Sequence, residues 1–281
     1  MSNLLELDHV TKLYPVGGLF SRKSIKAVND VSFSLDGDKP EIFAIVGESG
    51  SGKSTIAKMM LGNEIPNSGR LVFDGVDISN IRNRAQREAF MAKVQPVFQN
   101  PFEAFNPLTR VDAYLFGTAH RFAGANTLQE KETLSDQALQ RVGLSMAEIK
   151  GRFSHELSGG QLQRVAVARA LIPSPKLIVA DEPVSMVDAS LRMSIVNLFR
   201  SLRDELKVSI IYITHDLATA YYISDRVIIM QKGVVIESGG ARAVLDNPTH
   251  PYSIALKNAV LPPDPKAASA AIRLRGVRAA I

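Results

Sequence analysis

Gly47-Glu48-Ser49-Gly50-Ser51-Gly52-Lys53-Ser54 fits the pattern G-x-x-x-x-G-K-[ST]. Glycines at these places let the backbone fold so that successive N–H groups aim at phosphate oxygens, and a helix opening at the end of the loop adds the positive end of its dipole. Lys53 is placed to reach the β- and γ-phosphates of a nucleotide and the Ser54 hydroxyl to bind Mg²⁺; Thr55 follows directly and counts with the cradle. From average composition the pattern arises in on the order of 1 in 100 chains of this length, so the alternative is a flexible Gly/Ser turn. Further along, Leu177-Ile178-Val179-Ala180 ends in Asp181-Glu182. An aspartate at a strand's C-terminal end can hold Mg²⁺, directly or through water, and a glutamate beside it can polarise a water that attacks the γ-phosphate. His215 ends another apolar run, Ile210 to Thr214, where it could contact the γ-phosphate and orient that water. Gln99 follows Val97-Phe98 and could reach the metal and the water. The remaining histidines, His9, His120, His155 and His250, lack such context and read as structural or surface residues.

A second set of glycines precedes a helical pattern: Leu157-Ser158-Gly159-Gly160-Gln161 runs into Leu162 to Leu171. Exposed N–H groups at a helix start again suit an anion. A string of this kind arises by chance in roughly a few per ten thousand chains.

The elements that must carry these residues can be read from hydrophobic spacing. Ile42 to Val46 is a continuous apolar run, as in a strand buried on both faces. The glycine loop follows it and a helix is expected from about Lys53 to Leu61, which favours a phosphate cradle over a turn. Leu177 to Ala180 and Ser209 to Thr214 repeat the scheme of buried strand, polar loop and helix, so the expected fold is α/β with a parallel sheet at its centre. Leu4 to Tyr14 and Val28 to Leu35 alternate apolar with polar residues and read as an antiparallel edge pair. Between them, Gly17-Gly18 and Ser21 to Lys26 read as a turn or loop. From about 100 to 170 helical patterns dominate, which suggests a helical subdomain inserted in a domain spanning 1–246. From 247 to 281 the chain is an extension, Pro-rich at Pro248, Pro251, Pro262, Pro263 and Pro265, then a weakly ordered Ala- and Arg-rich tail.

Composition removes several classes. There is no cysteine, so disulfide scaffolds, Cys-ligated zinc and iron–sulfur clusters are excluded. The first ten residues carry Glu6 and Asp8 and do not read as a signal peptide, and no stretch reaches the ~18 apolar residues of a membrane span. A protein of this kind reaches a membrane by docking on other subunits. The net charge of +5 comes from scattered residues, with only small clusters at Arg82, Arg84 and Arg87 and at Arg273, Arg275 and Arg278, so a solvated basic surface is preferred and no nucleic-acid partner is expected.

Together these motifs resemble the ABC ATPase family over nearly all of residues 4 to 261. Leu157 to Gln161 looks like the family's signature, the most specific match in the chain. The resemblance implies a P-loop NTPase with a RecA-like parallel sheet core, an antiparallel β edge subdomain and an inserted helical subdomain. It implies ATP and Mg²⁺ as ligands and two ATPase subunits meeting head to tail, the signature of one covering the γ-phosphate held by the other. By the same resemblance Tyr14 stacks on adenine, Gln99 is the Q-loop glutamine, Asp181 and Glu182 are the metal-binding aspartate and the catalytic base, and His215 is the switch histidine. Ser185-Met186-Val187-Asp188 stands where the family's D-loop usually reads Ser-Ala-Leu-Asp; Asp188 matches, while Met186 and Val187 depart. Val97 to Pro101 with Phe105-Asn106-Pro107, and Asn247 to Tyr252 with Pro262 to Pro265, are similar to the ATPases of the oligopeptide, dipeptide and nickel importer group, which also serves some oligosaccharide systems. That group implies two permease subunits, an extracytoplasmic substrate-binding protein, a second ATPase subunit (identical or different) and a peripheral place on the cytoplasmic side of the inner membrane. Many members carry a cysteine-containing tail for a cluster, and none is expected here. The competing readings are a soluble ABC-type ATPase acting on nucleic acid or ribosomes, and a P-loop kinase or GTPase, which leaves Leu157 to Gln161 and His215 unexplained.

Overall fold

The computed structural model describes residues 3–16, 24–102 and 104–259. Gly17-Gly18, the stretch 21–23 and everything from 260 onward, with Pro262, Pro263, Pro265 and the last arginine cluster, lie outside them.

The chain opens with β1 (Asn3–Pro15) and β2 (Ser24–Asp36), which pair antiparallel. Ser24, Ile25 and Lys26 are therefore strand and not loop: Ile25 lies opposite Tyr14 and Lys26 opposite Leu13. β3 (Ile42–Val46) hands the chain to α1 (Lys53–Met60). β4 (Ser68–Phe73) and β5 (Val76–Asp77) return to the first sheet, whose order is β2-β1-β4-β5. α2 (Arg84–Lys93), opened by an Asn83–Gln86 capping box, leads into β6 (Val94–Val97). Four helices follow: α3 (Val111–Ala123), α4 (Leu128–Arg141), the short α5 (Met146–Ile149) and α6 (Gly159–Leu171). Then come β7 (Leu177–Asp181), α7 (Ala189–Leu206), β8 (Ser209–Thr214), α8 (Leu217–Ile223), β9 (Arg226–Gln231), β10 (Val234–Gly240), α9 (Ala241–Asp246) and α10 (Pro251–Ala259). Among the described residues no helix is long and apolar enough to cross a membrane.

The second sheet has the order β10-β9-β3-β8-β7-β6; β9 through β6 run parallel and β10 is antiparallel at one edge. Every residue of β3 and of β8 is buried, as a strand covered on both faces requires. Pro96 sits in β6, the opposite edge, where its missing N–H costs no ladder bond. One face of this sheet packs on α1 and the antiparallel sheet, with Phe33 stacked on Phe43 at 4.8 Å between ring centres. The other face packs on α6, α7 and, through them, the helices from α3 onward.

Register decides where the chemistry goes. Val46 lies beside Thr214, Asp181 beside Ile213 and Val97 beside Ala180. The residues that follow these strand ends, Gly47, His215, Glu182 and Gln99, therefore leave the sheet along one edge, the C-terminal edge where ligands bind in open α/β sheets. Phe199 of α7, fully buried, meets Tyr212 of β8 edge-on at 6.0 Å and so fixes the strand that ends at His215. Phe199→Ala is expected to destabilise the fold by about 3–5 kcal/mol in a urea titration, from lost burial plus the cavity left behind; a change under about 1 kcal/mol would mean that this contact does not hold β8.

Candidate functional site

The loop from Gly47 to Gly52 is shaped by contacts outside itself. Gly52 caps α1 with φ 105°, and a Cβ there would stand 2.3 Å from the Ala27 carbonyl oxygen. A Cβ on Gly47 would stand 2.3 Å from the Met230 carbonyl oxygen. The β9–β10 turn closes the third side: Gly233 donates its N–H to the Ser51 carbonyl (3.0 Å) and accepts one from Asn29 (2.8 Å). Within the loop, Ser51 N–H donates to Glu48 O at 3.2 Å. The Lys53 ammonium donates to the carbonyls of Gly47 (2.7 Å) and Glu48 (2.8 Å). Burial pushes the Lys53 amine below its ordinary range, while Glu182, Asp181 and Glu48 pull it back up. The Ser51 hydroxyl is buried with no hydrogen-bond partner in the protein.

The two acids diverge as their neighbours demand. Asp181 hydrogen-bonds Ser54; burial and the charge of Glu182 raise its carboxyl above the usual carboxylate range, and Lys53 and Ser54 pull it down. Glu182 turns the other way. Its backbone is left-handed, φ 46°, an uncommon conformation for a residue with a side chain, and its N–H donates to Ile213 O at 2.9 Å. Gln99 Nε2 donates to Glu182 Oε2 at 3.1 Å, and His215 Nδ1 lies 2.9 Å from Glu182 Oε1. An ionised carboxylate only accepts, so Nδ1 is the donor in that pair.

Tyr14, Gly47, Glu48, Ser49, Gly50, Gly52, Lys53, Ser54, Thr55, Gln99, Glu182 and His215 line one cleft of about 1010 Å³. The Lys12 ammonium stands 5.4 Å from the ring centre of Tyr14. Ser51 and Asp181 lie behind this lining rather than in it, and Ser158, Gly159, Gly160, Gln161 and Asp188 do not line the cleft either. Ser158 instead caps α6 in a capping box: Gln161 N–H donates to Ser158 Oγ (3.2 Å) and Ser158 N–H to Gln161 Oε1 (3.0 Å). Gly160 is buried against Leu191, which a Cβ would meet at 2.8 Å, while Ser158 is exposed. In the loop before α7, Val187 is buried, Asp188 exposed, and Met186 61% exposed.

A buried ammonium in a glycine cradle, with a pair of carboxylates nearby, has the chemistry that a triphosphate and its hydrolysis call for. The family model for ABC transporters matches residues 28–185. This chain belongs to the ABC transporter family. The oligopeptide transport ATP-binding protein AppF of Bacillus subtilis is 41% identical, covering 92% of this chain and 78% of that protein. OppF of Streptococcus pyogenes serotype M1, also an oligopeptide transport ATP-binding protein, is 35% identical over 87% of this chain and 78% of its own. Among solved structures, the dimeric ATP-binding cassette MJ0796 bound to ADP and Pi is 27% identical, covers 85% of this chain and 99% of its own, and superposes with a TM-score of 0.74. CbiO1 of Clostridium perfringens, part of an ABC transporter complex, is 27% identical over 88% and 92% of the two chains, with a TM-score of 0.73.

Ile25, Lys26, Ala27, Lys232 and Leu256 also line the ABC nucleotide cleft and were missed in the sequence. Lys232-Gly233 has a hairpin's turn chemistry between two apolar runs, with Lys232 at φ 49°. That signal predicts the turn but not that it packs on the phosphate loop. Gly52→Ala meets both a backbone oxygen and a forbidden φ, and should weaken ATP binding roughly 10- to 100-fold in an equilibrium titration. Gly50→Ala has φ 80° but open space, so its loss should be clearly the smaller; equal losses would mean that the Ala27 contact does not shape the loop.

Proposed function

We propose that this chain is the ATP-hydrolysing subunit of an ABC importer that energises uptake of oligopeptides or related solutes through membrane-spanning partner subunits. The observation that carries the reading is the Glu182 carboxylate held on both oxygens, by Gln99 and His215, at the mouth of the loop that holds Lys53.

ATP lies with its adenine against Tyr14 and its phosphates along the loop amides, Ser51 and Thr55. The Lys53 ammonium turns from the Gly47 and Glu48 carbonyls to the β- and γ-phosphates. Ser54, Asp181 and Gln99 are oxygen donors suited to a hard cation. These three would hold an Mg²⁺ brought in with the nucleotide. When bound, Mg²⁺ neutralises charge on the transferring phosphoryl group. Glu182 accepts the proton of the water that attacks the γ-phosphorus, while the bond to the β,γ-bridging oxygen breaks and ADP leaves with that oxygen. His215 and Gln99 fix the direction of that carboxylate, and Gln99 ties it to the helical subdomain at about 100–170, whose position would then follow the state of the γ-phosphate.

Ser158 caps the 13-residue helix that begins at Gly159, and Ser158 to Gln161 do not line this cleft. They are assigned to a γ-phosphate held by a second ATPase subunit, identical or paralogous, with Asp188 at the same contact. Two permease subunits and an extracytoplasmic substrate-binding protein complete the assembly, and the chain sits peripherally on the cytoplasmic side of the inner membrane. The names of AppF and OppF support peptides as cargo. Glu182→Gln keeps the size and hydrogen bonding of the side chain but not its basicity, so phosphate release should fall about 10²–10⁴-fold while ATP binding persists. Turnover equal to the parent's would remove Glu182 as the base.

A further inference from the structure

Asn247-Pro248-Thr249-His250-Pro251-Tyr252 has no part in the mechanism above, yet it is pinned to the core at several points. Glu237 Oε1 accepts from Thr249 Oγ1 (2.6 Å) and from His250 N–H (2.7 Å). Pro251 opens α10, where a missing N–H costs nothing, and His250 Nδ1 accepts the next N–H, that of Tyr252, at 3.1 Å. The Lys257 ammonium donates to the Asp246 carbonyl. The helix so anchored turns Tyr252 and Leu256, four residues apart, toward the sheet, where both pack on the cluster that contains Val46, the last residue before the phosphate loop.

Two contacts pass beyond packing. Leu256 lines the nucleotide cleft, and the Tyr252 hydroxyl accepts the Glu48 N–H at 2.9 Å. That N–H belongs to the peptide unit whose carbonyl is Gly47 O, the acceptor of the Lys53 ammonium at 2.7 Å. A trans peptide is planar, and its N–H and C=O point in opposite directions. Tyr252 and Lys53 therefore hold the two ends of one rigid plate, the first peptide of the cradle, in the nucleotide-free chain; once Lys53 turns to the phosphates, Tyr252 keeps its hold on the plate from behind. Tyr252 does not itself line the cleft; it acts from behind the loop.

We propose that Tyr252 is a positioning residue for ATP binding, and that α10 is a working wall of the nucleotide site. The hydroxyl fixes the plane of the Gly47–Glu48 peptide, which sets where the loop amides and the Lys53 ammonium meet the phosphates. The inference rests on the reading that this loop holds the triphosphate.

The test is equilibrium ATP binding to the full chain, with thermal unfolding of the same samples without nucleotide. Tyr252→Phe removes the hydroxyl and keeps the ring in its packing. Its ATP Kd is expected to rise about three- to tenfold, the range of one lost hydrogen bond, with the nucleotide-free unfolding midpoint close to the parent's. Asn258→Ala, exposed on the same helix, should bind ATP as the parent does. Leu256→Ala should also weaken ATP binding, since its side chain lines the cleft. Tyr252→Phe with the parent's ATP affinity overturns the inference, as does a lowered nucleotide-free midpoint with unchanged affinity, the mark of a purely structural contact. A parent chain that binds no ATP overturns the phosphate-site reading, and this inference with it.

Discussion

Backbone amides can cradle a phosphate only if they are not already bonded to each other, so a loop that offers them must be held in shape from outside. This requirement organises the molecule. The stretch from Gly47 to Gly52 keeps one internal amide bond, Ser51 to Glu48, and takes the rest of its shape from neighbours. β3, buried on both faces, fixes where the loop begins, and α1 fixes where it ends. The backbone of Ala27 and Met230 comes so close that Gly52 and Gly47 admit no side chain. The antiparallel sheet and the β9–β10 hairpin thus serve the loop as walls, the sheet bringing Ala27 and the hairpin Met230 and Gly233.

The same burial sets the electrostatics. Lys53 is driven toward neutrality by desolvation and held back by Glu182 and then Asp181, while Asp181 is driven toward protonation by desolvation and Glu182 and held back by Lys53. Such a pair is prepared for a ligand that brings both phosphate charge and a cation, because each group then finds a stronger partner than the one it leaves. Glu182 takes part in this exchange by its charge, but its hydrogen bonds lie elsewhere: its backbone is left-handed and its carboxylate is held by Gln99 and His215. Gln99 comes from the end of β6 and His215 from the end of β8, so one carboxylate reports on two strands and on the segment leading into the helices.

What could be read from the sequence followed from how each element is stabilised. Ile42 to Val46, Leu177 to Ala180 and Ser209 to Thr214 are strands buried on both sides, and such strands write themselves as unbroken apolar runs. The residues placed after them needed only strand order and register to converge. β4 and β5 were not legible, because short half-exposed strands carry little periodicity. Ser24 to Lys26 looked like loop on composition and are strand because Tyr14 and Leu13 offer them a partner. α10 hid behind Pro248 and Pro251, although a proline at the first helical position starts a helix as readily as it ends one. Ser158 to Gln161 were legible as an anion-binding helix start. That they lie outside the cleft around Lys53 is a fact of three-dimensional placement which no local spacing contains.

Ser158 to Gln161 do not line the cleft around Lys53, so on the proposed function a triphosphate is enclosed only between two subunits. A structure of the assembled transporter with ATP bound, turnover being blocked by Glu182→Gln, tests it most directly. The expected result is Ser158 Oγ and the Gly159 or Gly160 amide within hydrogen-bond distance, about 3.5 Å or less, of a γ-phosphate held by the phosphate loop of the other ATPase subunit. Finding Ser158 to Gln161 far from every nucleotide, with each triphosphate enclosed by a single chain, would contradict it.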